Sequence, residues 1–181
     1  MSRIRLALVT LAATGVVISG GTAMAATESA TDASGDASQA ADITRVTVTN
    51  GDKLLSIRVK LAKAVAGRTH LVATLTSSNE GGATYVARTV VLPAGGNGNS
   101  HAVRIGATLE TTAADATEAT PVECDRIKAT LSSGRNGHSS IRIPQSCFGD
   151  DAGTMTVDVA TATPSGDVAD EVPGDLTVPQ G

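Results

Sequence analysis

The sequence predicts an all-β protein: a two-sheet antiparallel sandwich of about seven or eight short strands, held by one disulfide. Three observations predict it. Through the middle of the chain, apolar and polar residues alternate with a period of two rather than 3.6. Gly, Asn and Ser punctuate that alternation at short intervals. No segment carries a convincing amphipathic helical stripe, and residues 110–118 (ETTAADATE) offer at most a turn or two of helix. Two sheets that are each apolar on one face can bury those faces only against each other.

Composition sets the bounds. Of 181 residues, 41% are hydrophobic and 18% charged, which suits one packed domain and not a disordered polymer. Aromatics are nearly absent: Tyr85 and Phe148 stand alone and there is no Trp. That argues against nucleic-acid or sugar recognition on aromatic platforms.

Residues 1–25 read as a signal peptide. Arg3 and Arg5 form the positive start, residues 6–19 the apolar core, and Ala23-Met24-Ala25 the small-residue cleavage pattern. Thr10, Thr14, Gly15 and Ser19 interrupt the apolar run, leaving it short of the roughly 20 residues a membrane span needs. The expectation is a secreted, extracellular chain with no membrane span after cleavage. Cys124 and Cys147 then form a disulfide, since neither has the His or second ligand pair that a catalytic or metal-bound thiol needs. Closing that loop stabilises the fold by roughly 3.5 kcal/mol in the chain-entropy model.

Residues 26–42 (ATESATDASGDASQAAD) hold only small, polar or acidic residues and read as a disordered acidic leader. Residues 164–181, with Pro164, Pro173, Pro179 and four acids, read as an extended acidic tail. Between them residues 43–163 form the sandwich domain, carrying 12 Lys and Arg against 10 Asp and Glu.

The first hairpin is the clearest element. Val46 and Val48 alternate with Arg45 and Thr47, and after Asn50-Gly51-Asp52 the residues Leu55, Ile57, Val59 and Leu61 alternate with Ser56, Arg58 and Lys60. A two-residue turn at Gly51-Asp52 sets Val48 opposite Leu55, Val46 opposite Ile57 and Arg45 opposite Arg58. Further strands are expected at 70–76, 84–92, 101–109, 126–131, 139–144 and 154–161. Residues 84–92 are apolar on both faces, as in a central strand. The cysteines constrain the last pairing. Matching Ile127, Ala129 and Leu131 with Ile141 and Ile143 places odd residues opposite odd, yet Cys124 is even and Cys147 odd. For the disulfide to close, regular pairing must stop at Pro144, a bulge must shift the phase, or the strands must lie in different sheets.

The opening Asp42-Ile-Thr-Arg-Val-Thr-Val-Thr-Asn-Gly-Asp, its Leu-Ser-Ile-Arg-Val-Lys-Leu return strand, Cys124, the segment Ile141-Arg-Ile-Pro-Gln-Ser-Cys147-Phe-Gly and the end Asp170-Glu-Val-Pro-Gly174 resemble a group of small exported β-sandwich proteins from actinobacteria. The resemblance spans residues 42–174 and implies fold and export, not an activity. Such proteins often carry aspartates around the hairpin after the second strand. Here that turn reads Ser77-Ser-Asn-Glu-Gly-Gly82.

No catalytic, cofactor-binding or metal-ligating residue emerges. His70, His101 and His138 lack zinc spacing, Asp150-Asp151 lacks the alternation of a calcium loop, and Gly137-His-Ser-Ser140 lacks a nucleophile elbow. No phosphate-binding loop is present, so no cofactor is expected. The reading is a non-catalytic binding or interaction module of the cell envelope. The alternatives are an exported hydrolase with residues on loops, or a protease inhibitor presenting residues 131–137. One constellation goes further: Arg45, Arg58, Lys60, Arg126, Lys128 and Arg142 all fall at outward positions. The simplest account is a solvated face that blocks edge aggregation. Beyond it, the acidic tails fold back as counter-charge, or the face binds an anionic wall polymer or acidic protein.

Overall fold

The computed structural model describes residues 25–79, 82–92, 103–113, 116–149 and 153–181. Residues 1–24 of the expected signal peptide 1–25, His101 and Asp150-Asp151 lie outside them. The strands are β1 (Ala26–Thr31), β2 (Ile43–Asn50), β3 (Leu54–Leu61), β4 (Lys63–Ala64), β5 (His70–Ser77), β6 (Thr84–Leu92) and β7 (Arg104–Thr112). They continue with β8 (Thr120–Pro121), β9 (Lys128–Ser132), β10 (Gly134–Arg135), β11 (His138–Pro144), β12 (Met155–Ala162), β13 (Val168–Glu171) and β14 (Leu176–Val178). One sheet runs β1-β2-β3-β11-β9; the other runs β13-β12-β5-β6-β7-β8, with β14 also on β12, and β4 pairs with β10 apart from both. Every pairing is antiparallel.

The fold is the expected all-β sandwich. All eight strands read from periodicity are present, as β2, β3, β5, β6, β7, β9, β11 and β12. The other six are two-residue bridges or belong to the tails. Strand β6 lies between β5 and β7, as its two apolar faces foretold. Residues 110–112, offered as helix, continue β7 instead. Inward positions of both sheets meet in a single core: Val46, Val48, Ile57, Val59, Ile141 and Ile143 from one, Leu71, Leu75, Leu109, Val157 and Val159 from the other. Burying each such side chain contributes about 1.5–3 kcal/mol. Tyr85 and Phe148 meet edge-to-face in that core, ring centroids 4.9 Å apart. Both aromatics are thus packing residues.

Three expectations need correction. The hairpin register is offset by two residues: Val48 pairs with Ile57, Val46 with Val59 and Asn50 with Leu55. Even offsets preserve the apolar face, so the core survives the change. Its cause is a longer turn, in which the Gly51 N–H donates to the Leu54 carbonyl at 3.1 Å, and in which Asn50 is a fully buried strand residue. The leader, secondly, is not free: residues 26–31 form β1, paired along its whole length with β2. Backbone pairing and the small Ala26 and Ala30 packed against the core suffice where bulky side chains are lacking. Thirdly, the tail is extended but belongs to the sandwich, with Val172, Leu176 and Val178 buried.

The pairing of β9 with β11 follows the expected parity, Ala129 opposite Ile141 and Leu131 opposite Ser139. Regular pairing stops at Pro144, where a 3-10 helix, Gln145–Phe148, begins. That break lets Cys147 turn toward Cys124, and the disulfide closes with Cα atoms 5.6 Å apart.

Candidate functional site

The outward face of the five-stranded sheet follows from register alone. Three rows cross it. The first is Thr31, Arg45, Lys60, His138 and Ser132; the second Ser29, Thr47, Arg58, Ser140 and Thr130; the third Thr27, Thr49, Ser56, Arg142 and Lys128. Neighbours in a row stand about 4.8 Å apart and rows about 6.7 Å apart. Every position is a cation, a histidine or a hydroxyl, and no row contains a carboxylate. Alternate residues of β2, β3 and β11 fill the core, so the polar ones must share the other side.

Five of the six predicted basic residues therefore meet on one face: Arg45, Arg58, Lys60, Lys128 and Arg142, all exposed. The pairs differ from those expected. A bulge at Thr44 and the longer turn set Arg45 opposite Lys60 and Arg58 opposite Thr47. Lys128 lies directly opposite Arg142. Hydroxyls brace the rows: Arg45 donates to Ser29 Oγ at 3.1 Å, Thr130 and Ser140 share a bond of 2.7 Å, and Thr27 and Thr49 one of 3.0 Å.

Arg126, the sixth, lies in the turn before β9. There it joins Lys128, Arg142 and Lys53 around a depression of about 480 Å³, also lined by Asp52, Leu54, Pro144, Gln145 and Ser146. Four cations face one carboxylate in this corner. The disulfide holds the Arg126 turn against the 3-10 helix that supplies Gln145 and Ser146. A buried network forms its floor: Gln145 Nε2 donates to Asn50 Oδ1 (2.7 Å) and to the Gly51 carbonyl (2.9 Å). Asn50 Nδ2 in turn donates to the carbonyls of Gly153 and Val178 at 3.0 and 3.1 Å. Lys53 escaped the sequence reading because it sits in the turn, outside the alternation.

The acidic tails do not cover this face, which corrects the fold-back expectation. Asp170 lies on β13 of the other sheet. Asp32 and Asp36 belong to the loop between β1 and β2, at the far end of the sandwich from the Lys53 corner. Carboxylate oxygens of Asp32, Asp36 and Asp170 lie within 4.8 Å of one another. Burial pushes the Asp32 carboxyl up, aided by the charges of Asp170, Asp36 and Asp42 and opposed by its bond from the Ala33 N–H. Two segments far apart in sequence build this cluster; the only signal was the alternation Asp32-x-Ser34-x-Asp36.

The two described histidines lie on different sheets. His138 is half-buried on the basic face, and His70 opens β5, opposite Ala162. The segment 131–137 is stitched down: Gly134 and Arg135 pair with Ala64 and Lys63, and the Asn136 N–H donates to the Ala62 carbonyl. A Cβ on Gly137 would collide with the Ser132 carbonyl oxygen and Ala64, so only glycine permits this crossing. Among the described residues no helix is long and apolar enough to cross a membrane. Comparison with protein-family models, curated proteins and solved structures finds no match to the chain.

Proposed function

We propose that the chain is an exported, non-catalytic binding module that docks an anionic polymer of the cell envelope on its five-stranded sheet. One observation carries this reading: three successive rows of an outward sheet face hold five cations and no carboxylate. Like charges directly across a ladder are destabilising, and an anion laid along the rows relieves them. The face repeats in two directions, which suits a ligand whose charges repeat. The Lys53, Arg126, Lys128 and Arg142 corner gives that ligand an end to anchor on. Export is supported by the N-terminal pattern and the disulfide, and by the resemblance to exported actinobacterial sandwiches.

The test is retention on immobilised polyglycerol phosphate as salt is raised. Binding should weaken steeply between about 0.05 and 0.5 M salt as screening shortens the reach of each charge. Charge reversal by Lys128→Glu with Arg142→Glu should lower affinity at least about tenfold, and Arg88→Glu on the other sheet should not. Retention that ignores both salt and the double reversal sinks the reading. Retention only on acidic protein would replace the polymer with a protein partner.

A further inference from the structure

We propose a divalent-cation site at the acidic end of the sandwich, formed by Asp32 and Asp36 of the β1–β2 loop and Asp170 of β13, with the buried Asp42 bonded to the same loop. The fitting ion is calcium. Two oxygens bound to one calcium at 2.3–2.6 Å are at most about 5 Å apart, and the three carboxylates already place oxygens within 4.8 Å of one another. The donors are all oxygen, which disfavours zinc, and two of the three sit on a loop, which tolerates the irregular coordination that calcium accepts and magnesium does not.

The independent observation is Asp42. Its side chain is only 2% exposed, yet Asp42 Oδ1 has no hydrogen-bond partner. Its other oxygen accepts from the Gly35 N–H at 2.9 Å, which turns the carboxylate toward the loop that carries Asp32 and Asp36, and its charge is felt at Asp32. Asp32 repeats the pattern: Oδ1 accepts from the Ala33 N–H at 2.8 Å, while Oδ2 is buried and unpartnered. A buried carboxylate is costly unless it is paired or coordinates a metal. Backbone N–H groups hold one oxygen of each and leave the other without a partner. Asp170 is fixed from both sides, accepting from the Ile43 N–H at 2.6 Å and the Glu171 N–H at 3.0 Å. A cation there joins the first loop to the penultimate strand, tying the two chain ends that flank the core.

The experiment is calorimetric titration of the metal-stripped full chain with calcium chloride, paired with thermal unfolding followed by circular dichroism. Half-saturation is expected on the order of 10⁻⁴ M, with an unfolding temperature that rises with calcium and a smaller response to magnesium. Asp36→Asn, at an exposed position, should leave the fold intact and weaken calcium at least about tenfold. Asp42→Asn should keep the Gly35 bond, raise the unfolding temperature of the metal-free protein and reduce the calcium response. Asp52→Asn, at the opposite end, should change neither. No heat and no thermal shift at about 10 mM calcium, beyond the weakest extracellular sites, would overturn the proposal. So would wild-type calcium binding in both Asp36→Asn and Asp42→Asn.

Discussion

The two ends of the sandwich solve the same problem differently. At the end that carries the β2–β3 turn, buried polar groups are largely satisfied from within. Asn50 and Gln145 link β2, the 3-10 helix, Gly153 and Val178, and the disulfide closes beside them. The cations of that end are consequently free of structural duty and point outward. At the opposite end the carboxylates of Asp32 and Asp42 are each held by a single backbone bond, with Asp32 Oδ2 and Asp42 Oδ1 unpartnered. The first end leaves only Gln145 Oε1 of that network without a partner and offers its charge to something outside. The second is completed by what it takes in.

Breaking the disulfide should give the largest effect and test whether the first end is self-sufficient. Cys124→Ser with Cys147→Ser removes a link across 23 positions and should cost about 3.5 kcal/mol in urea unfolding. Because the link holds the Arg126 turn and not Lys128 or Arg142, it should weaken polyanion binding less than reversing those two charges does. Next comes Asn50→Ala. It strands two carbonyls and a Gln145 amide hydrogen in the interior, at a cost of about 3 kcal/mol, read from the same unfolding curves. A loss under about 1 kcal/mol would mean that water or rearrangement supplies the missing partners, and the contrast between the ends would weaken.

Asn50 also marks where the sequence stops being legible. Asn-Gly is a strong turn signal, yet the partners that draw Asn50 into the interior lie 95 to 128 positions away. No local pattern encodes them. The eight main strands were readable because each is half-buried and so writes its burial as alternation. Strand β1 lies at a sheet edge and owes its place to backbone pairing; Ala26 and Ala30 give it almost no apolar signal. The basic face was readable for the same reason as the strands, being the complement of the core. The acidic cluster was not, since it joins residues 32, 36 and 170 from two stretches whose composition resembles free tails.

A smaller prediction separates crowded acids in general from the acidic end in particular. Asp158, on the outward face of β12, has its carboxyl pushed up by burial and then by the charge of Asp175, against a bond from the Val159 N–H. The folded state therefore holds the Asp158 proton more tightly than the unfolded chain does. Between the ordinary carboxylate value of 3.8 and the raised one, folding takes up a proton, so stability falls as pH rises through that window. Above it the penalty is constant. Asp158→Asn should thus raise stability near neutral pH and leave it unchanged near pH 3, where both states carry the proton. Screening at this half-buried site limits the gain to about 0.5 kcal/mol, or a degree or two in unfolding temperature. Asp158 has no orphaned buried oxygen, so calcium should leave the Asp158→Asn difference untouched while shifting both proteins alike. If calcium instead narrows the gap between them, the ion is being held on the β12 face, and the two acidic regions are not distinct.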